Sequence, residues 1–397
     1  MKYRKILHLD LDAFFCSVEE KFNPDLQGKP FATGGSPDGR GVVTSCSYAA
    51  RRSGIKAAMP MRIAIRKCPK LLIVQSHYHT YLAESKKIMT ILHNLSPLVE
   101  QISIDEAFLD ISDLLEAALT IAHRIQSRIY KELGLPSSIG IASNKLVAKI
   151  ATNIAKVKYR GENAPMAILE VLPGEEAKFL SALPVEEMWG IGLKTVPYLE
   201  KLGLITIGDI ASANMDILEK HFGKFAKILH QRARGIDIRP VGEDDGIKSI
   251  SNEITFSRDS NNSKELTNTI KNLSEKVGNR LRKRRLCGFT VRLKVRWPNF
   301  ETHTRQLTLT QPTNQGSVIY QNALKLFHQI WKAGKPVRLI GICVVNLTPI
   351  FQQLSLWDKT YEKESRLLEA IDTLKQRFGR GVIQKGVSTF NYKNDKN

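Results

Sequence analysis

Two apolar, strand-like runs in this chain carry acids with no Lys or Arg inside either run. They are His8-Leu9-Asp10-Leu11-Asp12-Ala13-Phe14-Phe15 and Ser103-Ile104-Asp105-Glu106-Ala107-Phe108-Leu109-Asp110. An apolar strand is stable when buried, but a carboxylate on it needs a positive partner. If the two runs are neighbouring strands of one sheet, Asp10, Asp105 and Glu106 converge as a hard, all-oxygen site of the kind Mg²⁺ takes. A structural reading stands beside this one. Ser103 and Glu106 have capping-box spacing, and Asp10 and Asp12 are residue types common in turns. Phe14, Phe15 and Phe108 next to the acids favour a site, because surface turns rarely carry such neighbours.

At 397 residues, 42% of them hydrophobic, the chain can bury real cores and divides into about two to four domains. A formal net charge of +20 points to a polyanionic partner, nucleic acid first and an acidic membrane surface second. The five cysteines are scattered and form no C-x-x-C, which indicates neither a zinc site nor a disulfide framework. Reduced thiols follow. The opening residues do not read as a signal peptide and no run is apolar enough to span a membrane, so a cytoplasmic protein is expected.

Along the chain, residues 4–9 read as a buried strand delivering Asp10, and a helix is expected from Asp12 to Lys21. Glycines at 34, 35 and 39 mark a turn, followed by a strand over 42–47 and a helical turn over 48–54. Tyr48 and Arg51 then share a face. They make either a polyphosphate clamp or an exposed Arg packed on a Tyr. A strand within 67–76, helices over 77–95 and 114–133, and a strand over 137–142 follow. The helix from Ser143 carries the apolar stripe Leu146, Val147, Ile150, Ala151 and Ile154, with Lys145, Lys149 and Lys156 on the opposite side. These elements predict a mixed sheet with packed helices and an insertion near 11–77.

A smaller helical domain follows from about residue 166. Its Trp189-Gly190-Ile191-Gly192-Leu193-Lys194, with Lys201-Leu202-Gly203 beyond, resembles a helix-hairpin-helix. Such a turn exposes backbone N–H groups that hold a nucleic-acid phosphate, with Lys194 adding charge. An ordinary helix–turn–helix joint is the other reading. Residues 232–248 read as an exposed linker. Beyond it, Leu266, Ile270, Leu273, Val277 and Leu281 stripe a helix whose basic end, residues 280–285, suits the helix C-terminus. In the next strand Phe289, Val291, Leu293, Val295 and Trp297 face a core, while Thr290, Arg292, Lys294 and Arg296 form a cationic plate for phosphates. Two more strands and a helix complete a β-α-β-β-α-β-like unit. Gln353-Leu354-Ser355-Leu356-Trp357 reads as a peptide for a partner's pocket or as a loop folded back on the body. Leu367, Ile371, Leu374 and Phe378 stripe a last helix that docks on the body or on a partner.

Taken in order, Asp10-x-Asp12-Ala13-Phe14-Phe15, Tyr48-x-x-Arg51, Ser103-Ile104-Asp105-Glu106-Ala107, Ser143-Asn144-Lys145 with Lys156, and Gly190-Ile191-Gly192 resemble the Y-family, lesion-bypass DNA polymerases, on the bacterial polymerase IV branch. The likeness runs from residue 4 to about 348. It implies an α+β multidomain, right-hand polymerase: palm 1–10 and 78–165, fingers 11–77, helix-hairpin-helix thumb 166–233, linker 234–246, β-α-β-β-α-β little finger 247–348 and tail 349–397. It also implies Asp10, Asp105 and Glu106 as catalytic acids which, with the Leu11 carbonyl, hold two Mg²⁺ ions, Mn²⁺ being a possible substitute. Asp12 is not expected to be a ligand.

Phe15 is implied as the steric gate against ribose. Tyr48, Arg51 and Lys156 would grip the triphosphate, and Phe14 and Ser45 would line the nucleotide pocket. Implied DNA contacts are Gly190, Gly192, Lys194, Arg292, Lys294 and Arg296. Implied partners are primer-template DNA, dNTP and a sliding clamp bound through Gln353, Leu354, Ser355, Leu356 and Trp357, the chain being a monomer. Two stretches depart from the family pattern: Lys156 is followed by Val157-Lys158-Tyr159-Arg160-Gly161 rather than Pro-Asp/Asn-Gly, and Ser45-Cys46-Ser47 replaces a Thr-Ala-Asn-like triplet. A two-metal nuclease, a non-enzymatic clamp-bound protein and a generic basic DNA-binding protein are the alternatives. The first leaves the Tyr-Arg-Lys grip unexplained, and the other two leave the acids unexplained.

Overall fold

Five of the six residues of β1 (Ile6–Leu11) are buried, and its apolar alternation feeds two cores at once. Leu7, Leu9 and Leu11 enter one, and Ile6 the other. The computed structural model describes residues 3–159, 163–242, 246–350, 359–379 and 382–383. The chain divides into two units, Met1–Asp244 and Asp245–Asn397.

In the first unit β1 runs into α1 (Phe14–Phe22) and then into a small module. There β2 (Phe31–Gly34), β3 (Val43–Cys46) and β4 (Leu72–Val74) make a three-stranded sheet of order β3-β2-β4. It carries α2 (Tyr48–Arg52) and α3 (Met61–Lys67). Ser47 caps α2 by accepting from Ala50 N, so the departure Ser45-Cys46-Ser47 supplies its own N-cap.

The chain returns through α4 (Tyr78–His93), β5 (Val99–Gln101), β6 (Glu106–Asp110), α5 (Ala118–Leu133), β7 (Ser137–Ala142), α6 (Lys145–Lys158) and β8 (Ile168–Glu170). The main sheet has the order β5-β6-β1-β7-β8, with β1 antiparallel to both neighbours. The two acidic runs are therefore adjacent, and Asp10 faces Glu106 across the ladder. Helix α5 starts four residues later than the sequence pattern predicts. Leu115, 99% exposed, has no core to pack on, so the turn before Ala118 stays out of the helix.

Five short helices follow: α7 (Glu176–Ser181), α8 (Val196–Lys201), α9 (Ile207–Ser212), α10 (Met215–Phe222) and α11 (Phe225–Ala233). Their Leu180, Leu199, Ile207, Ile210, Leu218 and Leu229 share one core with the apolar stripe of α6. Residues 235–241, which composition reads as exposed linker, keep Ile236 and Ile238 exposed but are tied to α6 at Gly235 and Asp237. Asn144 Nδ2 donates to the Gly235 carbonyl at 2.8 Å, and Leu146 N donates to Asp237 Oδ2 at 3.2 Å. Asp237 thus adds an anion at the start of α6, where the helix dipole favours one.

The second unit comprises β9 (Ser249–Ser260), α12 (Ser263–Lys283), β10 (Leu286–Arg296), β11 (Thr302–Thr313), α13 (Gly316–Ile330), β12 (Val337–Pro349) and α14 (Lys359–Phe378). Its antiparallel sheet has the order β11-β10-β12-β9. The predicted stripe of α12 is fully used in the core, together with Val291, Leu293, Val295 and Trp297. Phe289 is only half-buried, because the ladder shifts register between Gly288 and Thr290 and the alternation breaks there. Of the two options for the last helix, the structure shows docking on the body: Asp372 of α14 accepts from Arg282 Nε and Asn279 Nδ2 of α12, both at 2.7 Å. The peptide Gln353–Trp357 lies outside the described residues. No helix among them is long and apolar enough to cross a membrane.

Candidate active site

The acids on β1 and β6 find their counter-charge on α6. This depends on Gly140 of β7, the cross-strand partner of His8. A Cβ at Gly140 would meet the Ala148 carbonyl oxygen at 2.0 Å and Thr152 Oγ1 at 2.6 Å, so only glycine lets α6 lie this close to the sheet. Lys145, Lys149, Thr152 and Lys156 recur every third or fourth residue, on one helix face. Lys145 Nζ lies 2.7 Å from Glu100 Oε2, and Lys149 Nζ lies 2.5 Å from Glu106 Oε2. Thr152 Oγ1 lies 2.8 Å from His8 Nδ1. Lys156 bonds Asp10 and stands 3.0 Å from Asp12 Oδ1. These lysines lie on the side opposite the apolar stripe, as the spacing predicts. They face inward, Lys145 being only 4% exposed, because the opposite side of α6 is buried as well.

This pairing separates the two acids electrostatically. Burial pushes the Asp10 carboxyl up to about 6, against the pull of Lys156. The His8 imidazole 3.5 Å away, against the effect of burial and aided by Lys149, holds Glu106 down to about 2. By distance Lys149 has the tighter grip on Glu106. His8 is itself lowered to about 4 by burial. Asp12 is fully buried as a strut of the strand end: both its carboxylate oxygens accept from Ser138 Oγ, and one accepts from Met166 N.

Ser103 and Glu106 form no capping box. Glu106 opens a strand, and Ser103 Oγ donates to Asp105 Oδ1 at 2.6 Å. The Asp105 carbonyl accepts from Leu11 N at 3.0 Å, which brings this loop beside the end of β1. Among the described residues no three acids, histidines or cysteines are closed into a ready-made ion cage. The donor set nevertheless fits a divalent cation. It is all hard oxygen, and its demand for positive charge is met in this structure by ammonium groups.

A cavity of about 570 Å³ opens beside these acids. Its lining includes Asp10, Leu11, Asp105, Lys156, Phe14, Phe15, Ser45 and Arg51, but neither Glu106 nor Tyr48. Phe15 stacks on Tyr81 with ring centroids 4.3 Å apart and planes at 16°, and the Tyr81 hydroxyl bonds Glu19. The Phe15 ring is thus backed by an anchored ring. The Arg51 guanidinium lies 4.6 Å over the Tyr48 ring. The packed-pair reading of these two residues therefore holds, while Arg51 still faces the cavity. The Tyr48 hydroxyl is buried with no hydrogen-bond partner among the described residues, and burial pushes its pKa up.

Gly190, at φ +102°, opens an exposed turn through Gly192 and Lys194, closed by Thr195 N donating to the Gly192 carbonyl at 2.8 Å. In the second unit Arg292, Lys294 and Arg296 share the half-exposed face of β10. Arg292 donates to Gln306 Oε1, Lys294 pairs with Glu253 at 2.8 Å, and Arg296 donates to Thr302 Oγ1. Sequence reasoning missed the partners of Glu106, namely His8 and Lys149, and also Thr44 and Lys56, which line the cavity. The signal for Lys149 was its place with Lys145, Thr152 and Lys156 on one face.

Comparison with known proteins agrees with this architecture. The impB/mucB/samB family profile matches residues 9–153, the family's C-terminal domain matches 247–356, and its helix-hairpin-helix motif matches 173–204. DNA polymerase IV 1 of Halalkalibacterium halodurans is 37% identical over 396 residues, covering 97% of this chain and 93% of that protein. A DNA polymerase IV of Dehalococcoides mccartyi is 39% identical over 390 residues, covering 97% of this chain and 98% of that protein. Among solved structures, a Y-family DNA polymerase chimera superimposes with a TM-score of 0.75 at 26% identity, covering 87% of this chain and all of that one. Matches of that extent, spread over both units, place this chain in the impB/mucB/samB family, the Y-family of DNA polymerases.

Proposed function

We propose that Asp10, Asp105 and Glu106, with the Leu11 carbonyl, hold two Mg²⁺ ions between the primer 3′-hydroxyl and the triphosphate of an incoming dNTP. The chain is a DNA-directed DNA polymerase of the translesion class, and from that class we infer synthesis of low fidelity. When bound, such ions lower the pKa of the attacking hydroxyl and neutralise the charge that develops on the transferred phosphoryl group. Mn²⁺ can substitute for them.

The observation that carries this reading is the shared cavity, in which two of the acids face Phe15, Arg51 and Lys156. Arg51, which lines the cavity, grips the triphosphate, and the Tyr48 hydroxyl, buried outside the lining with no partner among the described residues, joins it when the nucleotide is bound. Lys156 would join them if a divalent cation took its place beside Asp10. Phe15 lies under the sugar and rejects a 2′-hydroxyl, held rigid by Tyr81. Phe14 and Ser45 complete the nucleotide pocket. The turn at Gly190, Gly192 and Lys194 takes a backbone phosphate, and Arg292, Lys294 and Arg296 follow the duplex without reading its sequence. Gln353–Trp357 binds a sliding clamp, and the chain works as a cytoplasmic monomer.

Extension of a primed template with dNTPs and Mg²⁺ tests the site. Asp105→Ala and Glu106→Ala are expected to abolish nucleotide addition while duplex affinity stays nearly intact. Sustained synthesis by the double variant would overturn it.

A further inference from the structure

The geometry points to Lys149 as the residue that positions Glu106, and to Trp189 as the residue through which the hairpin turn sets Lys149. This rests on the reading of Glu106 as a metal ligand. The Lys149 ammonium is 2.5 Å from Glu106 Oε2, with only 14% of its side chain exposed. This ammonium, with His8 Nε2 3.5 Å from the same oxygen, holds Oε2 and leaves Oε1 for an ion. Lys149 is in turn held by an aromatic face: its Nζ lies 5.7 Å from the centre of the Trp189 ring.

Trp189 also touches the strand that carries Glu106. Its ring sits 5.7 Å from that of Phe108, two residues beyond Glu106 on β6. The Arg239 guanidinium stacks 4.8 Å over it, fixed by a two-pronged bond to Asp237 at 2.8 and 2.7 Å. Asp237 is also the acid that accepts from the first turn of α6, the helix bearing Lys149. The residue directly after Trp189 is Gly190, which opens the exposed turn at φ +102°. A phosphate drawn onto that turn therefore pulls on Trp189, whose ring bounds the position of the Lys149 ammonium. DNA engagement and the orientation of a catalytic carboxylate are linked through one indole and one lysine.

The expected signature is a split that a merely structural role does not produce. Lys149→Met removes a positive charge beside the ion site, so Mn²⁺ bound directly to the DNA-free protein, followed by electron paramagnetic resonance, should bind roughly threefold tighter. Turnover in single-nucleotide addition should nevertheless fall about tenfold, the size usual for loss of a ligand's outer partner, with dNTP KM and duplex affinity unchanged. Lys149→Arg should restore most of the turnover. Trp189→Leu should lower turnover in the same way, Trp189→Phe should keep about half of it, and the double variant should be no slower than Lys149→Met alone. If Trp189→Leu does not fold, Trp189→Met takes its place in the cycle.

Unchanged turnover in Lys149→Met, or losses in the double variant that multiply, would overturn the proposal. Asp105→Ala separates this from failure of the underlying site. If that variant loses Mn²⁺ while Lys149→Met behaves as wild type, only the positioning role fails. If it keeps Mn²⁺ and extends primers, the metal site itself is wrong.

Discussion

At Tyr48 one atom decides whether the proposed binding role or a packing role holds. Its ring is used fully, under Arg51, but its hydroxyl is buried and bonds nothing among the described residues. Such a group costs about 1–3 kcal/mol, so a protein without a use for it gains by discarding it. Tyr48→Phe is therefore expected to raise unfolding stability in urea by about 1 kcal/mol while raising the dNTP KM severalfold. A stability loss with unchanged KM would make the hydroxyl structural. At this scale the sequence was legible where a charge stood without a partner: Asp10, Asp105 and Glu106 announce themselves because their runs contain no Lys or Arg. The partners were not legible. Lys149 looks like any polar position on an amphipathic helix until the sheet is seen to carry acids beneath it.

For the elements, register decided more than propensity did. The strands over 137–142 and at the two acidic runs, and the buried stripe of α6, could be read from apolar periodicity. The late start of α5, the bonds that tie Gly235 and Asp237 to α6 and the break at Phe289 could not. Each depends on a neighbour distant in the chain or on a register shift against the partner strand. Gly140 is the position on which the α6–sheet contact turns, although nothing nearby in the sequence marks it. Gly140→Ala must push α6 away from the sheet, since the new methyl would overlap the Ala148 carbonyl and Thr152. The expected loss is about 2 kcal/mol or more in urea unfolding, with a parallel loss of primer extension as Lys149 and Lys156 retreat from their acids. A variant as stable and active as wild type would show that the approach is not as tight as the distances state.

Across the whole molecule, the +20 charge sets how DNA is held rather than what is done to it. A sequence can give that total, but not how much of it is already spent internally. Lys294 shares the exposed face of β10 with Arg292 and Arg296 but already pairs with Glu253. Replacing all three by alanine should weaken duplex binding about equally for every sequence. The slope of log affinity against log salt should fall by about two rather than three. A drop near zero would remove this strand from the DNA-binding surface.

The account rests on three acids forming one divalent-ion site, and diffraction at the manganese edge tests that most directly. Crystals grown with primer-template, a dNTP and Mn²⁺ should show anomalous peaks within coordination reach of Asp10, Asp105 and Glu106, with Lys156 withdrawn from Asp10. Manganese bound elsewhere, with Lys149 and Lys156 still seated on their acids beside a bound dNTP, would contradict it.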